Sequence, residues 1–165
     1  MQHREGHQND YKTDKYFLIG DVGGTNLRIE LRSEKNEVVK KLVTKTSEYK
    51  NFSECLKAFF SDLKVDPVYV WSAISIASKI LNNRAVTKAN YNWELADGNL
   101  LKEEFYFREM ILLNDFEACG YSVPSLDQNQ ITVLKGEALP DLKKDFRSIL
   151  VGPGTGLGVC ILAKR

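Results

Sequence analysis

Phe17-Leu18-Ile19-Gly20-Asp21-Val22-Gly23-Gly24-Thr25-Asn26-Leu27-Arg28-Ile29-Glu30-Leu31-Arg32 decides how this 165-residue chain is read. Two short apolar stretches, Tyr16 to Gly20 and Leu27 to Arg32, flank a glycine turn, which predicts strand, tight turn, strand. The design recurs downstream. Ile149-Leu150-Val151-Gly152 leads into Pro153-Gly154-Thr155-Gly156-Leu157-Gly158 and out through Val159 to Leu162. Glycines in such turns permit positive φ and put no side chain between backbone N–H groups and a ligand. Successive N–H groups then form an anion nest, with the threonine hydroxyl as a further donor. A plain hairpin turn is the alternative for each segment alone, since glycine turns are common.

Outward from the first turn, Asn36 to Thr44 alternates enough to predict a third strand. Asn51 to Lys64 carries Phe52, Cys55, Leu56, Phe59, Phe60 and Leu63 at three-four spacing, one apolar helical stripe. Asn51 with Glu54 predicts a capping box at its start, and Asp66-Pro67 ends the segment. Val68 to Ala77 suits a buried strand. Ser78 to Asn92 turns polar, a surface loop or weak hairpin. Leu100 to Phe105 predicts a short helix, Glu109 to Leu113 a strand, and Asn114 to Tyr121 a helix. Polarity rises after Pro124, and a lobe boundary is expected there. Ile131 to Leu134, Ser148 to Val151 and Val159 to Ala163 are expected strands. Strands and helices thus alternate after an opening meander, the pattern of an α/β domain with a mixed sheet.

Asn114-Asp115-Phe116-Glu117-Ala118 ends an apolar strand and starts a helix. Asn114 with Glu117 reads as a capping box, and Asp115 complements the helix dipole. A second reading places Asp115 at the carboxyl end of a sheet, where open α/β sheets bind ligands. There it can accept a hydroxyl proton.

Composition narrows the chemistry. A net charge of +1 gives no electrostatic reason to expect nucleic acid or an anionic membrane. The longest nearly unbroken apolar run, Val68 to Ala77, falls well short of the roughly 18 residues of a membrane span. Met1 to Asp14 is a polar leader without an apolar signal core, so the expectation is a cytosolic protein. Cys55, Cys119 and Cys160 have no Cys-x-x-Cys spacing, which speaks against a disulfide framework or a cysteine zinc site. Both histidines, His3 and His7, lie in the leader. Acid–base work in the folded part therefore falls to a carboxylate, a lysine or a tyrosine. No Gly-x-x-x-x-Gly-Lys-[Ser/Thr] loop occurs. The dinucleotide pattern lacks its third glycine and its following helix.

Taken in order, Gly20-Asp21-Val22-Gly23-Gly24-Thr25-Asn26, Asn114-Asp115-Phe116-Glu117-Ala118 and Gly152-Pro153-Gly154-Thr155-Gly156-Leu157-Gly158 resemble the three signature blocks of the bacterial-type glucokinase family. Asn90-Tyr91-Asn92-Trp93 resembles that family's Asn-x-x-Trp block. The resemblance runs from about Tyr16 to the end of the chain. It implies a ribonuclease-H-like mixed-sheet lobe of the hexokinase–actin–heat-shock ATPase fold. It also implies ATP- and magnesium-dependent transfer of a phosphoryl group to the 6-hydroxyl of glucose.

Carried over by the resemblance, Asp115 is the general base, and Asn114 and Asn90 contact the sugar. Asp21 lies near the magnesium ion, reached through water. Gly23, Gly24, Thr25 and Asn26 border the phosphates, and Gly154, Thr155 and Gly156 form a second clamp. The implied organisation is a leader (1–14), a small lobe (15–123) and the start of a larger lobe (124–165). The rest of that lobe, with its Glu-Gly-Gly-His sugar motif and adenosine pocket, is expected beyond Arg165. The chain alone is therefore expected to be inactive, and the whole protein to be a possible homo-oligomer. One departure stands out: Ser78-Lys79-Ile80 replaces the family's usual proline-containing sugar loop. A non-catalytic nucleotide-binding relic and a sugar kinase with another acceptor remain alternatives.

Overall fold

The computed structural model describes residues 15–87, 93, 96–136, 146–154 and 157–164. The opening meander forms as the sequence predicts. β1 (Tyr16–Val22), β2 (Asn26–Ser33) and β3 (Val38–Lys45) pair antiparallel in succession. β4 (Val70–Ile76) pairs parallel to β1, and β7 (Glu109–Asn114) parallel to β4. The five-stranded order is β3-β2-β1-β4-β7, the mixed sheet expected of an α/β domain.

Period-two burial selects one sheet face. Leu18 and Val22 of β1, Leu27, Ile29 and Leu31 of β2, and Val70, Ile74 and Ile76 of β4 are almost fully buried on it. α1 (Phe52–Phe60) supplies Phe52, Cys55, Leu56 and Phe59 to the same core. Each large apolar side chain contributes roughly 1.5–3 kcal/mol when fully buried. Asn51 caps α1 by accepting from the Glu54 N–H at 2.8 Å. The return half of the expected box differs, because Glu54 reaches the Lys50 N–H (2.6 Å), one residue upstream. At the other end Lys40 of β3 donates to the Phe59 carbonyl (2.7 Å) and pairs with Asp62, the cation that helix C-termini favour.

The polar segment after β4 contains a small hairpin, β5 (Ile80–Leu81) with β6 (Arg84–Ala85). α2 (Gly98–Phe105) comes next, capped by Asp97. The hairpin turn solves an edge problem. Asn83, at a left-handed φ of 61°, donates through Nδ2 to the Met110 carbonyl and accepts at Oδ1 from the Leu112 N–H, both at 2.7 Å. Its amide thereby satisfies the outer edge of β7, which would otherwise expose ladder groups. α3 (Asp115–Ser122) starts directly after β7.

β8 (Phe146–Pro153) and β9 (Leu157–Lys164) form a separate two-stranded hairpin, with β9 against α3. Ile131–Leu134, expected as a strand, is not one: it pairs with no strand among the described residues, and Leu134 is 94% exposed. A short, mostly apolar run without a neighbouring ladder leaves its backbone groups to water. The leader (1–14) lies outside the described residues. Among the described residues, no helix is long and apolar enough to cross a membrane.

Candidate functional site

Strand register gathers the singled-out residues. Val22 pairs with Ile76, and Ile76 with Asn114, so three parallel strands end side by side. The segments leaving these strands therefore lie along one edge: the first glycine turn after β1, Ala77-Ser78-Lys79 after β4, Asp115 after β7. Strands lie about 4.8 Å apart, so the first turn and Asp115 are separated by roughly 10 Å across the sheet. This is the carboxyl-end edge at which open α/β sheets hold ligands.

The first turn is compact. The Gly23 N–H donates to the Asn26 carbonyl at 2.9 Å. Thr46, fully buried just beyond β3, donates its hydroxyl to the Gly23 carbonyl (2.8 Å) and its N–H to the Thr25 carbonyl (3.0 Å). Positive φ, expected of these glycines, is not what they supply. Gly136 is the glycine with positive φ among the described residues. Gly24 is half-buried, and Thr25 and Asn26 beside it are exposed, so the crest of the turn faces outward. The missing side chain there leaves the backbone open to a ligand rather than relieving strain.

Asp21 takes a defined place on the opposite sheet face from Val22. Its carboxylate accepts from Arg28 Nη1 (3.1 Å) and from Ser75 Oγ (3.0 Å), joining β1 to both neighbours. Each oxygen keeps a lone pair that a magnesium-bound water can use. Among the described residues, no group of three or more His, Cys, Asp or Glu side chains makes a metal cage. A magnesium ion carried chiefly by phosphates and water needs none.

At α3 the capping reading is realised in full. Asn114 Oδ1 accepts from the N–H groups of Phe116 (3.0 Å) and Glu117 (3.3 Å), while Glu117 accepts from the Asn114 N–H (3.4 Å). Asn114 Nδ2 also donates to the Ser78 carbonyl at 3.0 Å. Its amide is thus mostly occupied by the fold, leaving one N–H for a ligand. Asp115 is half-exposed, with Oδ1 held by the Phe116 N–H at 2.9 Å. One carboxylate oxygen is anchored, and the other remains for a proton.

Sequence reasoning missed the parts that support this edge. Ser78, 5% exposed, bonds through Oγ to the Thr87 carbonyl (2.7 Å) and lies 3.0 Å from the Thr87 hydroxyl, closing the segment that Asn114 grips. Phe116 seats α3 on the second hairpin. A Cβ on Gly152 or on Gly158 would overlap its ring, so these cross-strand glycines form a flat seat for it. Between Asn114–Phe116 and the hairpin residues Gly152–Gly154 and Leu157–Val159 lies a cleft of about 630 Å³. Asp115 and Gly154 border it together. Thr155, Gly156 and Asn90 lie outside the described residues. Of the Asn-x-x-Trp block, Trp93 is described: it is buried, stacks on Phe52 and donates from Nε1 to the Tyr49 carbonyl (2.7 Å).

Comparison with known proteins bears on this arrangement. The family model for glucokinase matches residues 18–165. A glucokinase from Erwinia tasmaniensis is 29% identical over 149 residues, which are 90% of this chain and 44% of that protein. A bifunctional protein glk from Burkholderia orbicola is 30% identical over 142 residues, 86% of this chain and 21% of that protein. Among solved structures, a glucokinase from an Antarctic psychrotroph superposes with a TM-score of 0.73 at 26% identity, over 91% of this chain and 47% of that one. The chain therefore spans less than half the length of each of these relatives.

Proposed function

The chain belongs to the glucokinase family, and from that premise we propose that it forms the phosphate-binding and base-bearing part of an ATP-dependent glucose kinase. The observation that supports this reading most is the register Val22–Ile76–Asn114, which sets the first glycine turn and Asp115 on one edge. A phosphoryl transfer needs a phosphate held beside the attacking hydroxyl, with little covalent work by the protein.

In this proposal residues 15–123 form the small lobe, and the segment from 124 onward opens the larger one. Gly23 to Asn26 hold phosphate oxygens by backbone N–H groups, with Gly154, Thr155 and Gly156 as the facing clamp. Asp115 takes the proton from the sugar's 6-hydroxyl as its oxygen bonds to the terminal phosphorus and ADP leaves. Asn114 orients Asp115 and offers its remaining N–H to the sugar; Asn90 is a second sugar contact. Magnesium, reached from Asp21 through water, would neutralise phosphate charge. Positioning of this kind can supply roughly 7–11 kcal/mol of the barrier.

The test is glucose-dependent ADP release in a protein that carries this chain together with the C-terminal part of a glucokinase relative. Mannose and N-acetylmannosamine serve as competing acceptors. The proposal expects turnover with glucose above the other sugars, and none from residues 1–165 alone. Turnover with another sugar at equal or higher efficiency would reassign the acceptor. No sugar-dependent turnover from a folded, ATP-binding protein would remove the kinase reading.

A further inference from the structure

We propose that Thr46 is the positioning residue that aims the first glycine turn at phosphate; the inference rests on the phosphate-binding reading of that turn. Thr46 is fully buried, and both of its donors go to one place. Its hydroxyl holds the Gly23 carbonyl at 2.8 Å, and its N–H holds the Thr25 carbonyl at 3.0 Å. The peptide bonds here are trans. In a trans peptide unit the carbonyl and the next N–H point in opposite directions. With the Gly23 and Thr25 carbonyls drawn back to Thr46, the N–H groups of Gly24 and Asn26 are both turned away from it, that of Gly24 at the crest of the turn and that of Asn26 on the edge where its carbonyl accepts the Gly23 N–H. The crest faces water, since Thr25 and Asn26 are exposed while Thr46 beneath them is not.

Backbone N–H groups of a turn held outward from a buried anchor are the makings of an anion-binding concavity. The turn does not set this direction itself. Thr46 comes directly after Lys45, which pairs with Asn26 in the β2–β3 ladder, so the register of a neighbouring hairpin fixes the donor. Burial strengthens the arrangement, because a carbonyl deprived of its partner away from water is unfavourable. Threonine holds the turn where valine could only fill the space, since at the same shape it adds one donor.

The experiment uses the ¹⁵N,¹³C-labelled chain titrated with inorganic tripolyphosphate, followed by amide NMR. The Gly24 and Asn26 resonances are expected to move with one common affinity. Thr46→Val keeps shape and backbone N–H but removes the hydroxyl. It should weaken that affinity about five- to tenfold, the scale of one buried hydrogen bond, while core resonances of β1 and β4 stay in place. Thr46→Ser should restore binding to within about twofold on the same reasoning, a rescue that loss of packing would not give. Movement in the unmodified chain that Thr46→Val leaves at equal affinity overturns this inference alone. No movement at either amide in the unmodified chain overturns the phosphate reading and this inference with it. Should Thr46→Val unfold, the through-hydrogen-bond coupling from the Thr46 nitrogen to the Thr25 carbonyl carbon decides on the unmodified chain. Its presence throughout the titration supports the positioning role, and its absence refutes it.

Discussion

The two glycine turns share one sequence design and receive opposite support. The first joins β1 and β2 inside a five-stranded sheet, above a core in which Leu18, Leu27 and Leu31 are fully buried. The second joins β8 and β9, a hairpin that rests on α3 by one face and exposes Ile149, Val151, Val159 and Ile161 on the other. Their glycines also do different work. Gly24 sits on an outward crest beside exposed Thr25 and Asn26, whereas Gly152 and Gly158 leave inward space for the Phe116 ring. Local sequence sets the turn; the layer beneath it sets its stability and decides which glycines tolerate a side chain.

Thiol labelling should separate the regions most sharply. Cys55 lies in the first region's core, and burial, assisted by Glu54, pushes its thiol up to about 12. Cys160 sits on the hairpin, partly exposed against Gly120. At pH 8 maleimide should label Cys160 at least about a thousandfold faster than Cys55, since only the thiolate reacts and only global opening exposes Cys55. Comparable rates would mean the core opens as readily as the hairpin.

Gly158→Val should come next in size. Its side chain meets the Phe116 ring, and overpacking of about 1–3 kcal/mol corresponds to roughly ten- to hundredfold lower hydrogen-exchange protection across β8 and β9. β1 and β4 should keep theirs. Unchanged hairpin protection would show that the glycine seat is not what holds it.

Gly24→Val should act the other way round. Stability should change by no more than about 0.5 kcal/mol, as for surface substitutions that break no special feature. Phosphate affinity should fall about tenfold, because a branched side chain then stands where the anion approaches. A stability loss that exceeds the binding loss would make the turn a structural hairpin only. The smallest effect belongs to Ser72 on β4, whose buried Oγ has no hydrogen-bond partner among the described residues. Ser72→Ala should leave the melting temperature unchanged or raise it, by up to about 1 kcal/mol of stability; a clear loss would reveal a partner for that hydroxyl.

The meander, α1, β4, β7 and the α3 cap were legible because alternation, three-four spacing and capping pairs act over a few residues. Asn114 with Glu117 formed the box its spacing promised. Thr46, Asn83 and Ser78 were not legible, because their partners lie 9 to 36 residues away and no local pattern marks them. Ile131–Leu134 read as a strand because apolar content alone cannot supply a pairing partner. Phe116 lay inside the Asn114–Ala118 block, yet only the packing of Gly152 and Gly158 against its ring reveals its seat. Asp115 stayed double-natured in the sequence, since helix start and general base call for the same carboxylate. The structure gives the cap to Asn114 and Glu117, which separates the two readings experimentally.

That separation makes Asp115→Asn the most direct test of the proposed site. It is made in a glucose-phosphorylating protein that carries this chain with the C-terminal part of a glucokinase relative, with kcat and melting temperature measured together. The capping box is untouched by this change and an asparagine oxygen can still accept the Phe116 N–H, so the melting temperature should stay within a degree or two of the unmodified protein, as for substitutions that break no buried contact. The account predicts that kcat falls roughly a hundredfold or more, the scale of a lost general base. Near-normal turnover with unchanged stability would contradict it and leave Asp115 as the first residue of a well-capped helix.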